Sequence, residues 1–187
     1  HRAFGRRSSS PNLDRWAGPR WISRRHCRSL RAWTTRASAA DCGHHVIVPD
    51  VNLLLHAMNA QSDHHERAWS WWSSAWSGTE HIGLAWSVLL GYLRITTHPR
   101  IMPVPQPFDV AINDVRSWMS APISVILTPG PDHLHVMDAL MAGAGRGGDL
   151  TPDAHLAALA VENGGTIYSQ DADFARFHGV RWIDPCA

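Results

Sequence analysis

Short apolar runs alternate with segments of helical periodicity along residues 46–187. The run VIVP at 46–49 predicts a buried strand, and the polar residues Asp50 and Asn52 lie directly after it. Apolar residues then recur three or four positions apart, which predicts a helix over 52–60 with Asn52 as its N-cap.

Three tryptophans mark one face of the next predicted helix. Trp69, Trp72 and Trp76 lie three and four positions apart, which places them on the same side of a helix. Asp63 followed by Glu66 has the spacing of a capping box, so we expect the helix to begin at Asp63. We interpret the tryptophan face as part of the core, and a base-stacking platform for nucleic acid is the alternative.

The rest of the pattern continues the alternation of strands and helices. Residues 99–107 and 143–148 are typical of loops, and a helix is expected to begin with Thr151 as its cap and Pro152 at its first position. Strands separated by helices favour an α/β fold with a mostly parallel central sheet. The remaining predicted strands cover 82–85, 123–127, 166–168 and 180–183, and the remaining helices cover 86–97, 108–119 and 132–142.

Charge divides the chain into two parts. Residues 1–45 contain ten Arg and two acids, whereas residues 46–187 contain seven Arg and fourteen acids. The first part shows no strand or helix period and no apolar stretch of the kind that a secretory signal needs. We interpret residues 1–45 as an Arg-rich N-terminal extension, disordered or upstream of a true start at Val46, with a basic RNA-binding arm as the alternative.

Composition excludes several classes of protein. The chain contains no Lys, which removes Schiff-base chemistry and the phosphate-binding loop that depends on Lys. Cys27, Cys42 and Cys186 form no zinc-binding pattern and suit unpaired thiols in a reducing compartment. No apolar run approaches the roughly 18 to 20 residues that a membrane span needs. We therefore expect a cytoplasmic protein with no membrane segment.

Four acids stand where the predicted fold would bring them together. Asp50 and Asp171 follow strands, Asp173 is two residues further on, and Asp153 lies in the first turn of a helix. The carboxyl ends of parallel strands meet at one edge of the sheet, so these side chains should converge there. Two carboxylates about 4 Å apart repel by roughly 4 kcal/mol at an effective dielectric constant of about 20. Converging acids must therefore become protonated, pair with a cation or bind a metal.

A ligand set made of oxygen atoms favours Mg²⁺, with Mn²⁺ as an alternative ion. Such an ion can activate water for the hydrolysis of a phosphodiester bond. Single acids also have structural explanations, because Asp153 would complement the helix dipole and Asp50 would cap a helix. A phosphatase with Asp50 as its nucleophile is a further alternative, which the missing Lys opposes.

Four segments in order resemble the PIN-domain ribonucleases, and more narrowly the VapC toxins of bacterial toxin–antitoxin pairs. They read VIVPDVNLLLHA (46–57), LAWSVLLGYLRITTHPRI (84–101), LTPDAHLAALAVENG (150–164) and YSQDADFARFHGVRWIDP (168–185). The resemblance covers residues 46–187. It implies a PIN-like three-layer α/β/α sandwich and a Mg²⁺-dependent endoribonuclease toxin that acts on RNA of the tRNA or rRNA class. It also implies a VapB-like antitoxin and a homodimer.

The resemblance also implies roles for single residues. Asp50, Asp153 and Asp171 match the catalytic, metal-binding acids of the family, and Asp173 matches a further, variable metal-binding acid. Two polar residues, Asn52 and Ser169, match side chains that orient these acids.

The helix predicted over 86–97 departs from the family pattern. PIN nucleases commonly carry a Glu there, a few residues before an Arg, whereas here Ser87 or Gly91 takes that position and Arg94 follows. Three or four Asp can still hold one Mg²⁺, but the missing Glu puts a second ion in doubt. It also keeps open a degenerate PIN domain that binds antitoxin or RNA without cutting. Arg94 and Arg100 are candidates for RNA phosphate contacts, with a structural salt bridge as the alternative for Arg94.

Overall fold

A computed structural model describes residues 45–145 and 148–187, so the interpretation of residues 1–45 lies outside the described part except for His45. The described strands are β1 (Val46–Pro49), β2 (His81–Ala85), β3 (Ser124–Leu127), β4 (Gly165–Tyr168) and β5 (Trp182–Ile183). The helices are α1 (Val51–Met58), α2 (His65–Ser77), α3 (Trp86–Thr96), α4 (Phe108–Ser120), α5 (His133–Ala144) and α6 (Leu150–Glu162). A short 3₁₀ helix covers Ala172–Arg176.

The strands form one parallel sheet in the order β3-β2-β1-β4-β5. Strand β1 lies at the centre, and its last residue Pro49 is opposite Tyr168, the last residue of β4. Asp50 and Ser169, which follow these two strands, are therefore neighbours at the carboxyl edge. Helices cover both faces of the sheet because connections between parallel strands must cross over it. The structure confirms the predicted α/β/α sandwich with its parallel sheet.

The core lies on both sides of β1. All four residues of β1 are buried, as is an almost continuous run of small and branched residues in the middle of α6. Strand β4 can approach β1 closely because it begins with Gly165. A Cβ atom at that position would lie 2.8 Å from Val48 Cγ2. No helix in the described part of the chain is long and apolar enough to cross a bilayer.

The tryptophan face of α2 packs inward, as predicted. Trp72 is 2% exposed, and its ring meets those of Trp76 and Trp118 edge-on at 5.0 and 5.7 Å. Tyr92 continues the cluster with a centroid distance of 4.8 Å to Trp118. Trp69 and Trp76 are half-buried against the same core. Edge-to-face pairs of this kind add about 0.5–1.5 kcal/mol each beyond the buried area, so the cluster serves the stability of the fold.

The predicted starts of two helices were wrong. Helix α1 is capped by Asp50, whose Oδ1 accepts a hydrogen bond from the Val51 N–H at 2.6 Å, and Asn52 lies inside the helix. The capping box at Asp63 does not form, since α2 begins at His65 without a side-chain cap. The boundaries of helices differ by a residue or two from those that local capping patterns predict.

The region before α6 also differs from its prediction. Helix α5 extends to Ala144, so the loop is shorter than 143–148. Helix α6 begins at Leu150, so Thr151 and Pro152 lie within its first turn and Asp149 takes the cap position. Pro152 is tolerated there because the first N–H groups of a helix need no partner within the helix.

Candidate active site

Ser169 is the centre of a hydrogen-bond network at the carboxyl edge of the sheet. Its hydroxyl donates to Asp50 Oδ2 at 2.7 Å and accepts from Asn52 Nδ2 and the Asp171 N–H, each at 2.9 Å. The residue is fully buried. A hydroxyl has one donor and two acceptor sites, so Ser169 uses its whole capacity here. It thereby ties the predicted residues Asp50, Asn52 and Asp171 into one unit, although they come from distant parts of the sequence.

Asp50 is held as a buried carboxylate. Oδ1 accepts from the Val51 N–H and Oδ2 from Ser169, and the residue is 9% exposed. Burial raises the pKa of Asp50, the two hydrogen bonds oppose that rise, and the nearby Asp171 adds to it. The cap explanation for Asp50 is thus correct for one oxygen, while the other faces Ser169.

Asp153 feels the other acids although it lies on a different element. It is half-buried in the first turn of α6. Burial and the charges of Asp50, Asp171 and Asp173 together raise the pKa of Asp153 to about 6. Asp50, Asp171 and Asp173 are therefore near enough for their charges to act on Asp153.

Asp171 and Asp173 are oriented differently within the 3₁₀ turn. Asp171 caps this turn, because its Oδ1 accepts from the Asp173 N–H at 2.9 Å. Asp173 Oδ1 accepts from Arg176 Nη1 at 3.2 Å, in a pair whose two side chains are about half exposed. Arg176 was not predicted as a site residue, although its spacing of three from Asp173 was a usable signal.

The donor set fits a hard divalent cation. The four acids offer carboxylate oxygens, the ligands that Mg²⁺ and Mn²⁺ prefer. Asn52 Oδ1 is buried at the same place without a hydrogen-bond partner in the described part of the chain. In the arrangement seen here, no three His, Cys, Asp or Glu side chains of residues 45–145 and 148–187 form a ready ion-binding cage. Repulsion among the carboxylates opposes their closer approach, and a cation would remove it.

A PIN-domain family model matches residues 47–180. Ribonuclease VapC37 of Mycobacterium tuberculosis is 41% identical over 140 residues, which cover 75% of this chain and 97% of that protein. Ribonuclease VapC33 of the same species is 42% identical over 140 residues, which cover 75% of this chain and 98% of that protein. The chain belongs to the PIN-domain family of VapC ribonucleases. The family resemblance read from the four sequence segments is confirmed.

Solved PIN-domain structures share the fold. The VapBC2 complex of Rickettsia felis, solved with a DNA fragment from its promoter, gives a TM-score of 0.54 at 10% identity and covers 74% of this chain and 97% of its own. FitAB bound to the IR36 DNA fragment gives a TM-score of 0.54 at 16% identity. The match covers 75% of this chain and 96% of that one. At such identities the likeness supports the architecture alone.

Gly91 is one of the two positions at which the Glu of the PIN pattern is missing, and it lies beside the residue that follows Asp50. A Cβ atom at Gly91 would lie 3.3 Å from Cγ2 of Val51, the residue after Asp50. Ser87, the other candidate position, is exposed. Exposure does not separate the two positions, because Asp171 and Asp173 are exposed as well, but at Gly91 the side chain of Val51 lies beside the missing side chain.

The two arginines predicted to bind RNA form no ion pair with the acids in the described part of the chain. Arg94 is exposed in the last turn of α3, and Arg100 is exposed in the loop that follows. Within residues 45–145 and 148–187, neither guanidinium pairs with a site acid, so the salt-bridge alternative for Arg94 does not form there.

Proposed function

We propose that this VapC protein is a metal-dependent endoribonuclease toxin. The observation that carries the proposal is the hydrogen-bond network of Ser169, which holds Asp50 and Asp171 together at an edge where both raise the pKa of Asp153. A fold does not evolve three repelling carboxylates at one place for stability, because each would be more stable alone. The proposed ion is Mg²⁺, with Mn²⁺ as a substitute, held by Asp50, Asp153 and Asp171.

When bound, such an ion lowers the pKa of water and stabilises the charge that develops on a phosphodiester group during hydrolysis. The chain's own residues prepare the edge for this. Ser169 and the Val51 N–H fix both oxygens of Asp50, so its carboxylate needs little reordering to bind. Ser169 also fixes the backbone of Asp171, and Asn52 holds Ser169. Asp173 adds negative charge beside this group.

Cleavage of total RNA by the purified full chain tests the proposal. Discrete fragments should form with Mg²⁺ and should disappear with EDTA and in Asp153→Asn. Asp109→Asn is the matched control, because Asp109 is also a first-turn acid, but on α4 and exposed. If Asp153 merely complements a helix dipole, the two variants will cleave alike. Intact RNA under all metals tried would favour a degenerate PIN domain that binds without cutting.

The proposed RNA is of the tRNA or rRNA class, and Arg94 and Arg100 are its proposed phosphate contacts. The part of the chain after residue 45 is acidic overall, so binding would depend on a few such local contacts rather than on a broad basic surface. We expect this action to take place in the cytoplasm.

The proposed inhibitor is a VapB-like antitoxin. Solved relatives of the fold are complexes named VapBC, and a basic segment of a partner would suit the acidic edge of this chain. Co-purification with the small protein of an adjacent gene, together with loss of cleavage in the complex, tests this partner.

We also propose a homodimer. Trp86 and Leu90 lie one turn apart on α3 and are 48% and 56% exposed. Neighbouring large apolar side chains on a surface commonly mark an interface. Leu90→Glu should shift the molar mass in solution from dimer to monomer, whereas an unchanged mass would exclude this face.

A further inference from the structure

The Asp173–Arg176 pair is the part of the acidic edge that the proposed mechanism leaves unexplained. Arg176 Nη1 donates to Asp173 Oδ1 at 3.2 Å. Taken alone, a half-exposed pair within one helical turn is weak. Its importance depends on whether anything else fixes the guanidinium.

A second contact does fix it. Arg176 Nη2 donates at 2.7 Å to the carbonyl oxygen of Ala144, the last residue of α5. Carbonyl groups at a helix C-terminus lack partners within the helix and carry partial negative charge, so they attract a cation. The guanidinium is thus held between the end of α5 and Asp173.

The backbone at the end of α5 is shaped to receive this arginine. Gly145 has a φ of 121°, and a Cβ atom there would lie 3.1 Å from Arg176 Nη2. A Cβ atom at Gly143 would lie 2.9 Å from Cδ2 of His178, just after the 3₁₀ helix. Two glycines therefore keep open the space that lets Arg176 and His178 pack against α5.

The carboxylates of the edge accordingly have separate anchors. Asp50 and Asp171 are joined through Ser169, which is fully buried. Asp173 is instead bound to Arg176, whose own position α5 determines.

We propose that Arg176 holds Asp173 outside the ligand set of the metal, so that Asp173 supplies charge near the ion but no bond to it. This inference rests on the proposed function. It makes Arg176 a positioning residue, and it changes the role that the family pattern implied for Asp173.

Titration of the full chain with Mn²⁺, with free Mn²⁺ measured by electron paramagnetic resonance, tests this without reference to RNA cleavage. Asp171→Asn should weaken binding by at least about 100-fold, because a charged oxygen ligand is lost. Asp173→Asn should weaken it by less than about fivefold, because only a nearby charge is lost. Equal losses in the two variants would overturn the inference.

Variants of Arg176 test the restraint itself. Arg176→Gln should strengthen Mn²⁺ binding by about three- to tenfold, since it frees Asp173 and removes a positive charge. Arg176→Lys, which keeps the charge beside Asp173, should stay within about twofold of the wild type. Arg181→Gln is the matched control, because Arg181 is exposed and also bonds a backbone carbonyl, that of Gly164 at 2.6 Å.

Arg176→Gln should raise Mn²⁺ affinity clearly less in the Asp173→Asn background than in the wild type, because in that background there is no carboxylate for the substitution to free. A full gain from Arg176→Gln in that background would contradict the inference, because Asp173 would then play no part. Absence of saturable Mn²⁺ binding by the wild type would instead overturn the proposed metal, and with it both proposals.

Discussion

Asp50 and Asp114 are the two buried acids of the described chain, and they look alike in isolation. They are 9% and 8% exposed, and each accepts a hydrogen bond from one hydroxyl, Ser169 at 2.7 Å and Tyr92 at 2.8 Å. Burial raises the pKa of both, that of Asp114 to about 6. Burial and a shifted pKa therefore do not identify the functional acid.

The side chains around Asp50 and Asp114 distinguish the two acids. Asp171 adds to the raised pKa of Asp50, and Asp50 in turn acts on Asp153. Asp114 lies between α3 and α4 against Tyr92, and only burial raises its pKa. A carboxylate that is hydrogen-bonded to a phenol needs no further partner, whereas carboxylates that face one another need a proton or a cation to reduce their repulsion. The contrast supports the proposed assignment of Asp50, rather than Asp114, to the metal site.

The largest expected effect comes from the same substitution at the two acids. Asp50→Asn should lower the RNA cleavage rate by at least about 1,000-fold, equivalent to about 4 kcal/mol of lost transition-state stabilisation. Asp114→Asn should stay within about threefold of the wild type, because asparagine can still accept from Tyr92. Initial rates with the purified full chain measure both, and similar losses in the two variants would break the contrast.

The next test removes a buried hydroxyl from each region. Ser169→Ala should weaken metal binding by about 10- to 100-fold, as expected for a residue that orients ligands. Ser124 is 1% exposed and donates to the Trp118 carbonyl at the other side of the sheet. Ser124→Ala should cost about 1 kcal/mol in unfolding free energy and leave metal affinity unchanged. Calorimetric titration with the metal measures the affinity of both variants. An equal loss of metal affinity in Ser169→Ala and Ser124→Ala would refute the role of Ser169.

Asp114 should also make stability depend on pH. Its pKa is raised in the folded state, so the stability that it contributes is fully present below about pH 4 and is lost as the pH rises through about 6. Between pH 5 and 7.5 the wild type should lose about 1 kcal/mol more unfolding free energy than Asp114→Asn. Urea unfolding at both pH values measures this. If Asp114→Asn loses as much unfolding free energy between these pH values as the wild type does, Asp114 does not titrate in this range.

The smallest effects are expected away from both acids. Arg94→Gln and Arg100→Gln should each raise KM for RNA by about two- to fivefold and reduce its salt dependence, as expected on losing one phosphate contact. Arg116→Gln, on the exposed side of α4, is the control. If all three variants behave alike, the proposed RNA contacts are wrong.

The sheet could be predicted because it depends on local signals, and the same signals singled out the four proposed site acids. Apolar runs located the strands, and the positions of Asp50 and Asp171 after strands placed them at one edge. Helix starts were less predictable: Asp50 rather than Asn52 caps α1, since the choice depends on how the chain leaves β1.

Contacts between distant residues were beyond the local pattern. Ser169 lies 119 residues from Asp50, and only the family resemblance suggested that they interact. Nothing in the sequence indicated that Asp114 would be buried against Tyr92, or that Arg176 would reach Ala144, which lies 32 residues away. Such contacts follow from how elements pack, which periodicity does not encode.

Thermal unfolding with and without Mg²⁺ tests the central claim most directly, that Asp50 and not Asp114 belongs to a metal site. An ion that binds only the folded chain stabilises it by about 2.7 kcal/mol at 100 times its Kd. The account predicts a clear rise in Tm with Mg²⁺ for the wild type and for Asp114→Asn, and none for Asp50→Asn. An equal rise in Asp50→Asn, or no rise in any of the three proteins, would contradict it.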